Sequence, residues 1–494
     1  MTTSEETRPL LTGDAERTPD GENATKETPL PLRQLAIVYL IQFCEPLTGL
    51  VIYPFIAELV QETGITGGND KTTAFYAGGA VQESLFFFSE FLTCMLWGRL
   101  SDYHGRRPIL LIAPFGLAVA TYGFGLSKTF WLLCVFRFMQ GVFNGNVACE
   151  LTVSAKLTDA TNRPRAFSML PLNWSVASIL APIIGGTLSN PVKHFPGVFG
   201  NVWLLQRFPY FLPCAVSATI SLGVFLFALV YLKETLPSAV KQQSKASSNS
   251  QEAVNAARNY GTIADELQSS PTELAPPPAV KALLRDPYVG KVLATYAIFG
   301  FCDMSLSSLV PIILYSEIQN GGLGFDPLTI GIIMGIWGVF NTIFQLLAAP
   351  YLIKRFGPRA MQMTAAVAVA LMAVLLPTEN CIARQLGHVN GAIMVLLALQ
   401  YLCLSFTFVG YGTIYMFVVD SAPTSNSMGA VNGLAQASST LVRTFAPWIS
   451  TSLLSLSLQK NLLGGRFIYL FVICVACVNF YMTTFLPKQL RNAH

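Results

Sequence analysis

The sequence predicts an all-α integral membrane protein whose twelve transmembrane helices form two six-helix bundles, and three observations lead there. Only 12% of the 494 residues are Asp, Glu, Lys or Arg, against roughly 25% in soluble domains. The hydrophobic share is 52% and the mean hydropathy is +0.50, so too little polar surface exists to face water on every side. Apolar runs also recur at lengths near the roughly 20 residues that cross about 30 Å of hydrocarbon, six on each side of a long polar insert.

Residues 1–33 are polar, acidic and Pro-bearing, without the basic stretch and short apolar core of a cleaved signal, and read as a disordered cytosolic tail. The first bundle, 34–232, holds runs near 35–60, 75–99, 109–127, 130–154, 167–189 and 208–232. Span 1 places Glu45 near the midplane, and Pro46 and Pro54 each free a backbone carbonyl, so this helix should bend beside its acid. Span 2 carries Glu83 and Glu90; a separation of seven residues leaves them about 20° apart around the helix, as one acidic stripe with Glu90 the deeper. Its Phe86, Phe87 and Phe88 read as lipid-facing or packing residues rather than a ligand cage. Span 4 has Arg137 in its outer half and Glu150, unassigned, near its inner end. The insert 233–288 is rich in Gln, Ser, Asn and Ala and has a Pro triplet at 276–278, which suits a flexible cytosolic linker with one short surface helix. The second bundle, 289–487, holds runs near 289–315, 329–352, 362–377, 390–419, 429–455 and 467–486, with Asp303 mid-span in the first and Arg443 mid-span in the fifth; 488–494 is a short cytosolic tail.

Basic residues orient the chain. With the N-terminus inside, 22 of the 31 Lys and Arg fall in inner segments and 7 in outer connections, and Arg137 and Arg443 lie within spans. Both termini and the insert are therefore expected in the cytosol. Several function classes drop out. The net charge of +4 is too small to mark a nucleic-acid binder. Nine of the ten cysteines lie in apolar runs, all four histidines lie outside them, and no phosphate-binding glycine loop occurs, so no metal, cofactor or enzyme site is expected.

A duplicated motif links the halves. Gly98-Arg99-Leu100-Ser101-Asp102-Tyr103-His104-Gly105-Arg106-Arg107 follows span 2, and in the segment after span 8 Gly357 and Arg359 match Gly105 and Arg107. Ala181-Pro182 in span 5 and Ala446-Pro447 in span 11 repeat at a similar offset, as in secondary transporters built from parallel repeats. An acid followed by two arginines beside closely approaching helix ends can form a charge-assisted latch, which suits a gate, whereas the arginines alone would only fix topology. In span 5, Pro182 removes a backbone donor, and Gly185 and Gly186 admit a close helix neighbour.

The Gly98–Arg107 stretch resembles the signature between helices 2 and 3 of the major facilitator superfamily. Arg137-x-x-Gln140-Gly141 is similar to that superfamily's second motif, and Ala181-Pro182-x-x-Gly185-Gly186 to the motif of its twelve-helix drug:proton antiporters. Asn173, Ala177 and Ala181 stand where that branch prefers glycine. The resemblance implies a secondary transporter moving a small organic molecule by alternating access as a proton antiporter, with Gly98, Asp102, Gly105, Arg106 and Arg107 as a gating loop. It also implies that helices 2 and 11 meet between the halves, which suggests an ion pair of Glu90 with Arg443. A nutrient uniporter or symporter is the alternative within transport, and a transporter-like sensor or scaffold the alternative outside it.

Charges within a bilayer cost roughly 2.5–3.5 kcal/mol on insertion scales, which makes Glu45, Glu83, Glu90, Arg137, Asp303 and Arg443 the candidates for proton coupling or the substrate path. Glu45 and Asp303, without an evident cationic neighbour, are the better proton carriers, and Glu90 the better switch. The expected partners are a small-molecule substrate, protons and the lipid bilayer, for a chain acting as a monomer. Glu6-Thr7-Arg8-Pro9-Leu10-Leu11 is similar to acidic dileucine sorting signals. Glu6, Leu10 and Leu11 would engage an adaptor and direct the protein to a vacuolar or lysosome-like membrane, the plasma membrane being the alternative.

Overall fold

The structure is a computed structural model that describes residues 29–64, 71–144, 153, 157–158, 163–234, 280–423, 427–488 and 490. All regular structure among the described residues is helical. The twelve long helices are α1 Leu32–Leu50, α2 Lys71–His104, α3 Arg106–Gly125, α4 Phe130–Asn144, α5 Arg163–Leu188, α6 Phe211–Tyr231, α7 Pro287–Tyr315, α8 Pro327–Ile343, α9 Pro358–Leu386, α10 Gly391–Asp420, α11 Met428–Gln459 and α12 Phe467–Thr483. A short helix, Val280–Arg285, precedes α7. The candidate sorting residues Glu6, Leu10 and Leu11 and most of the insert lie outside the described residues.

Local chemistry sets the helix ends. Asp286 and Asp326 cap α7 and α8 by accepting from backbone N–H groups, each followed by a proline at the first helical position, where no donor is needed. Gly387, with φ 73°, ends α9. Among the described residues, α3, α6, α7, α8 with its continuation to Phe356, α9 and α10 are individually long and apolar enough to cross a bilayer. The 34-residue α2 and 32-residue α11 are not among them because they carry Gln82, Glu83 and Glu90, and Arg443 among many Ser and Thr. Those two helices pack against each other. Exposed Leu226, Phe227 and Val230 on α6 and Val367 and Val374 on α9 instead supply an apolar surface for lipid.

Two seams join the halves, α2 on α11 and α5 on α8. In a six-plus-six repeat, α2 corresponds to α8 and α5 to α11, so these seams are equivalent. The repeated glycines carry the same symmetry at the backbone: Gly105 has φ 96° and ψ 156°, Gly357 φ 83° and ψ 157°. Both conformations belong to glycine.

Three boundaries differ from the sequence reading. Span 1 is interrupted rather than bent: α1 contains Pro46 but ends at Leu50, and after a turn at 51–55 that includes Pro54 the chain resumes as Ile56–Glu62. The motif from Gly98 to Arg107 is mostly helix, since α2 runs through His104 and Gly105 alone separates it from α3. Span 9 does not stop at Pro377: α9 carries this proline internally and continues to Leu386, as membrane helices tolerate when neighbours satisfy the freed carbonyl.

Candidate functional site

Among the described residues, three groups of polar side chains inside the helices contain the candidate charges. The first explains Arg137-x-x-Gln140-Gly141 residue by residue. Arg137 Nη2 donates to Glu83 Oε1 at 2.6 Å, joining α4 to α2 in an ion pair whose side chains are 2% and 9% exposed. Arg137 Nη1 donates to Gln140 Oε1 at 2.8 Å, and Gln140 Nε2 donates to Thr121 Oγ1 of α3 at 2.9 Å. The guanidinium lies 4.6 Å from the centre of the Phe86 ring, a cation–π contact. Gly141 packs on the carbonyl of Phe86 and the hydroxyl of Ser89, where a Cβ would not fit. This motif therefore clamps α2, α3 and α4 together.

The second group lies between α1, α2 and α4, where Glu45 and Glu90 both face the side chain of Asn144. Glu45 and Glu90 are half-buried and Asn144 is buried. The third is in the second half. Tyr411 Oη donates to Asp303 Oδ2 at 2.8 Å and accepts from Arg443 Nη2 at 2.8 Å, a relay across α7, α10 and α11. The Arg443 guanidinium also lies 5.3 Å from the Tyr411 ring centre and, across the seam, 5.9 Å from that of Phe87 on α2. Asp303 and Arg443 are half-buried too. Thus four of the six candidate charges lie near the contact between the halves, while Glu83 and Arg137 are sealed within the first half.

Several expectations need correction. Glu90 lies within electrostatic reach of Arg443 but makes no direct ion pair with it; Glu83 holds the buried arginine contact. Asp303 has a cation close by, reached through Tyr411. The Phe triplet is consistent with its packing or lipid-facing reading: Phe86 and Phe87 pack against arginines and Phe88 is largely exposed. The sequence reading does not single out Asn144, although it is a polar residue in an apolar run seven positions after Arg137 and therefore on the same helix face. Tyr411 gives no signal among the many span aromatics. With the apolar run ending at Pro377, the sequence puts Glu379 in a connection, whereas it is 0% exposed on α9; it faces the Gln400 side chain of α10, whose amide, turned with its nitrogen toward the carboxyl, donates at 3.0 and 3.3 Å.

At the loop between α2 and α3, nothing is described of the side chains of Gly98, Arg99 or Asp102. Arg106 is buried, and Arg107 Nη2 donates to Leu229 O of α6 at 2.7 Å. Glu234, just beyond α6, accepts from the backbone N–H of Arg106 at 3.1 Å and of Arg107 at 3.0 Å. A carboxylate at a helix N-terminus satisfies orphan donors and complements the helix dipole. The equivalent second-half position is Pro358, which has no N–H to cap.

On α5, Ala177, Ala181 and Pro182 are buried and Asn173 Nδ2 donates to Gln42 Oε1 of α1 at 3.0 Å. The paired glycines have separate tasks. Gly185 packs on Val51 O and Pro54, in the interruption after α1. Gly186 meets the other half, since a Cβ there would lie 2.7 Å from Pro327 O and 2.8 Å from Gly331 Cα. Gly338 of α8 likewise lies against the Ser178 carbonyl. The α5–α8 seam is thus backbone on backbone. Beside it, Tyr315 Oη of α7 donates to Gln61 Oε1 of the first half at 3.1 Å.

A family model described as Major Facilitator Superfamily matches residues 38–447. Major facilitator-type transporter psiT2 of Psilocybe cyanescens is 29% identical over 493 residues, covering 94% of this chain and 92% of its own. Major facilitator superfamily multidrug transporter mfsB of Aspergillus fumigatus is 27% identical, covering 87% and 80%. The crystal structure of a D-xylose-proton symporter has a TM-score of 0.66 at 15% identity, covering 92% of this chain and 98% of its own, which shows the same fold.

Proposed function

Since this chain belongs to the major facilitator superfamily, a family of membrane transporters rather than enzymes, we propose that it is a proton-coupled antiporter exporting a small organic molecule from the cytosol by alternating access. The observation behind this reading is the pair of half-buried clusters, Glu45–Asn144–Glu90 and Asp303–Tyr411–Arg443, one in each half and both bordering the seam. A carboxyl withdrawn from water favours its neutral form, and a nearby cation or a hydrated path favours the charged one, so rocking the halves changes proton affinity. Glu45 and Glu90 lie near each other beside Asn144 and cannot both ionise without repulsion, which makes them the proton carriers. Arg443, held by Tyr411, sets the charge that Asp303 and the substrate meet. The buried Glu83–Arg137 pair is the scaffold of the first half. Export is supported by a relative named an efflux pump, azaK of Aspergillus niger, 24% identical over 470 residues.

The backbone contact of Gly186 with Gly331 lets α5 and α8 rock against each other without side-chain interference. Glu234 ties the α2–α3 turn, with Asp102 at the end of α2, to the start of the cytosolic linker, so that turn moves with the linker as a gate. We assign the protein to a vacuolar or lysosome-like membrane through Glu6, Leu10 and Leu11. A screen of organic substrates in proteoliposomes with an imposed pH gradient tests the function. Uptake driven by an acid interior supports antiport; substrate flux indifferent to the gradient sinks it.

A further inference from the structure

Away from the central clusters, a crevice of about 220 Å³ opens between the outer ends of α9, α11 and α12. Leu454, Leu458 and Tyr469 line it on the apolar side and Arg384, Arg466 and Asn380 on the polar side, with no Asp or Glu among its lining residues. Arg384 is pinned: its Nε donates to Ile318 O at 3.1 Å and its Nη2 to Gln319 O at 2.9 Å. Asn380 holds the same loop, donating to Ile318 O at 3.0 Å and Gly322 O at 2.8 Å. Those bonds fix the Arg384 guanidinium in place and leave its Nη1 hydrogens without a protein acceptor among the described residues. Arg466, exposed immediately before α12, makes no side-chain hydrogen bond or ion pair among them.

Arg384 lies in the last turn of α9 and Arg466 immediately before α12, and the ends of membrane-crossing helices lie near the interface with water, where phosphates are the abundant anions. Two guanidinium groups on one cavity match a phosphate, which takes parallel charge-assisted hydrogen bonds. The volume equals that of about seven liquid waters and is below the roughly 300–1,000 Å³ of drug-sized sites. A crevice of that size suits a phosphate and its ester substituent better than a transported organic molecule. We propose that this crevice binds the phosphate ester of an organophosphate anion on the outer side of the membrane, with Arg384 and Arg466 on the phosphate and the ester's carbon chain against Leu454 and Leu458.

Thermal unfolding of the purified full-length protein in a neutral maltoside detergent tests this, with phosphatidylglycerol and sn-glycerol 3-phosphate as the two probes. The wild type should gain thermal stability in a saturable manner with at least one of them. Response to phosphatidylglycerol alone identifies a lipid headgroup, and response to both a soluble organophosphate. Arg466→Gln, which breaks no hydrogen bond to the described protein, should bind roughly tenfold more weakly while keeping the unliganded melting temperature. Arg384→Lys, which retains charge but not the planar fork, should weaken binding as well. No saturable shift with either probe, or affinities in Arg466→Gln and Arg384→Lys equal to wild type, would overturn the assignment.

Discussion

Replacing Glu83 by Gln should destabilise the protein by about 3–5 kcal/mol, the cost of removing one partner of a buried ion pair. Arg137 is 2% exposed and its Nη2 lies 2.6 Å from the Glu83 carboxylate. After the substitution its hydrogen-bond and ring partners among the described residues are all neutral: the amide oxygen introduced at position 83, the Gln140 carbonyl at 2.8 Å and the face of Phe86. A charge-assisted hydrogen bond accounts for about 1.5–3 kcal/mol of that loss, and the rest is the uncompensated charge held away from water. Arg137→Gln should cost a similar amount by leaving Glu83 unpaired. The double replacement should recover about 1–3 kcal/mol as the coupling energy between the two side chains. Equilibrium unfolding in mixed detergent gives the four free energies of the cycle. The parallel cycle on Glu90 and Arg443 should show weaker coupling, because those half-buried side chains make no ion pair. Single losses that add to within about 0.5 kcal/mol in the Glu83–Arg137 cycle would refute the pairing, and stronger coupling of Glu90 to Arg443 than of Glu83 to Arg137 would restore the opposite assignment.

Gly186→Val should abolish transport and cost about 1–3 kcal/mol or more, because its Cβ would meet Pro327 O and Gly331 Cα, which are backbone and cannot rotate away; flux and thermal unfolding in detergent check both halves of this statement. Glu234→Ala removes both acceptors at the start of α3 and should cost about 1–3 kcal/mol, with faster amide hydrogen exchange at Arg106 and Arg107 and slower transport, whereas Glu234→Asp should recover part of the loss. Tyr411→Phe disconnects Asp303 from Arg443 and should lower flux, displace its pH profile and cost about 1–3 kcal/mol of stability; an unaltered pH profile would mean that the relay is structural.

The helices are legible in the sequence because membrane burial is written in composition, and the in-span charges because each is costly where it lies. Partnership is less legible. Helical periodicity places Glu83 and Glu90 on one stripe, but which acid meets an arginine depends on the rotation and depth of α4 and α11 against α2, and neither is encoded within α2. Pro377 reads as a stop since a soluble helix would break there, and that hides the buried Glu379. The repeat is faint in sequence, two residues around Gly357, yet it is clear in the backbone because the positive φ at Gly105 and Gly357 is what the turn requires. Gly185 and Gly186 read as one small-residue motif, and only three-dimensional packing separates the glycine that docks on α1 from the one that touches the other half.

Proton exchange at Glu45 and Glu90 is the central claim, and proton release on substrate binding tests it most directly. Purified protein in a weakly buffered solution with a pH indicator is mixed with a transported substrate identified in the gradient screen. The wild type should release protons on binding. Glu45→Gln and Glu90→Gln should each reduce that release, and the double variant should bind substrate with none. Wild-type binding without any pH change, or full release from a double variant that still binds, would contradict the account.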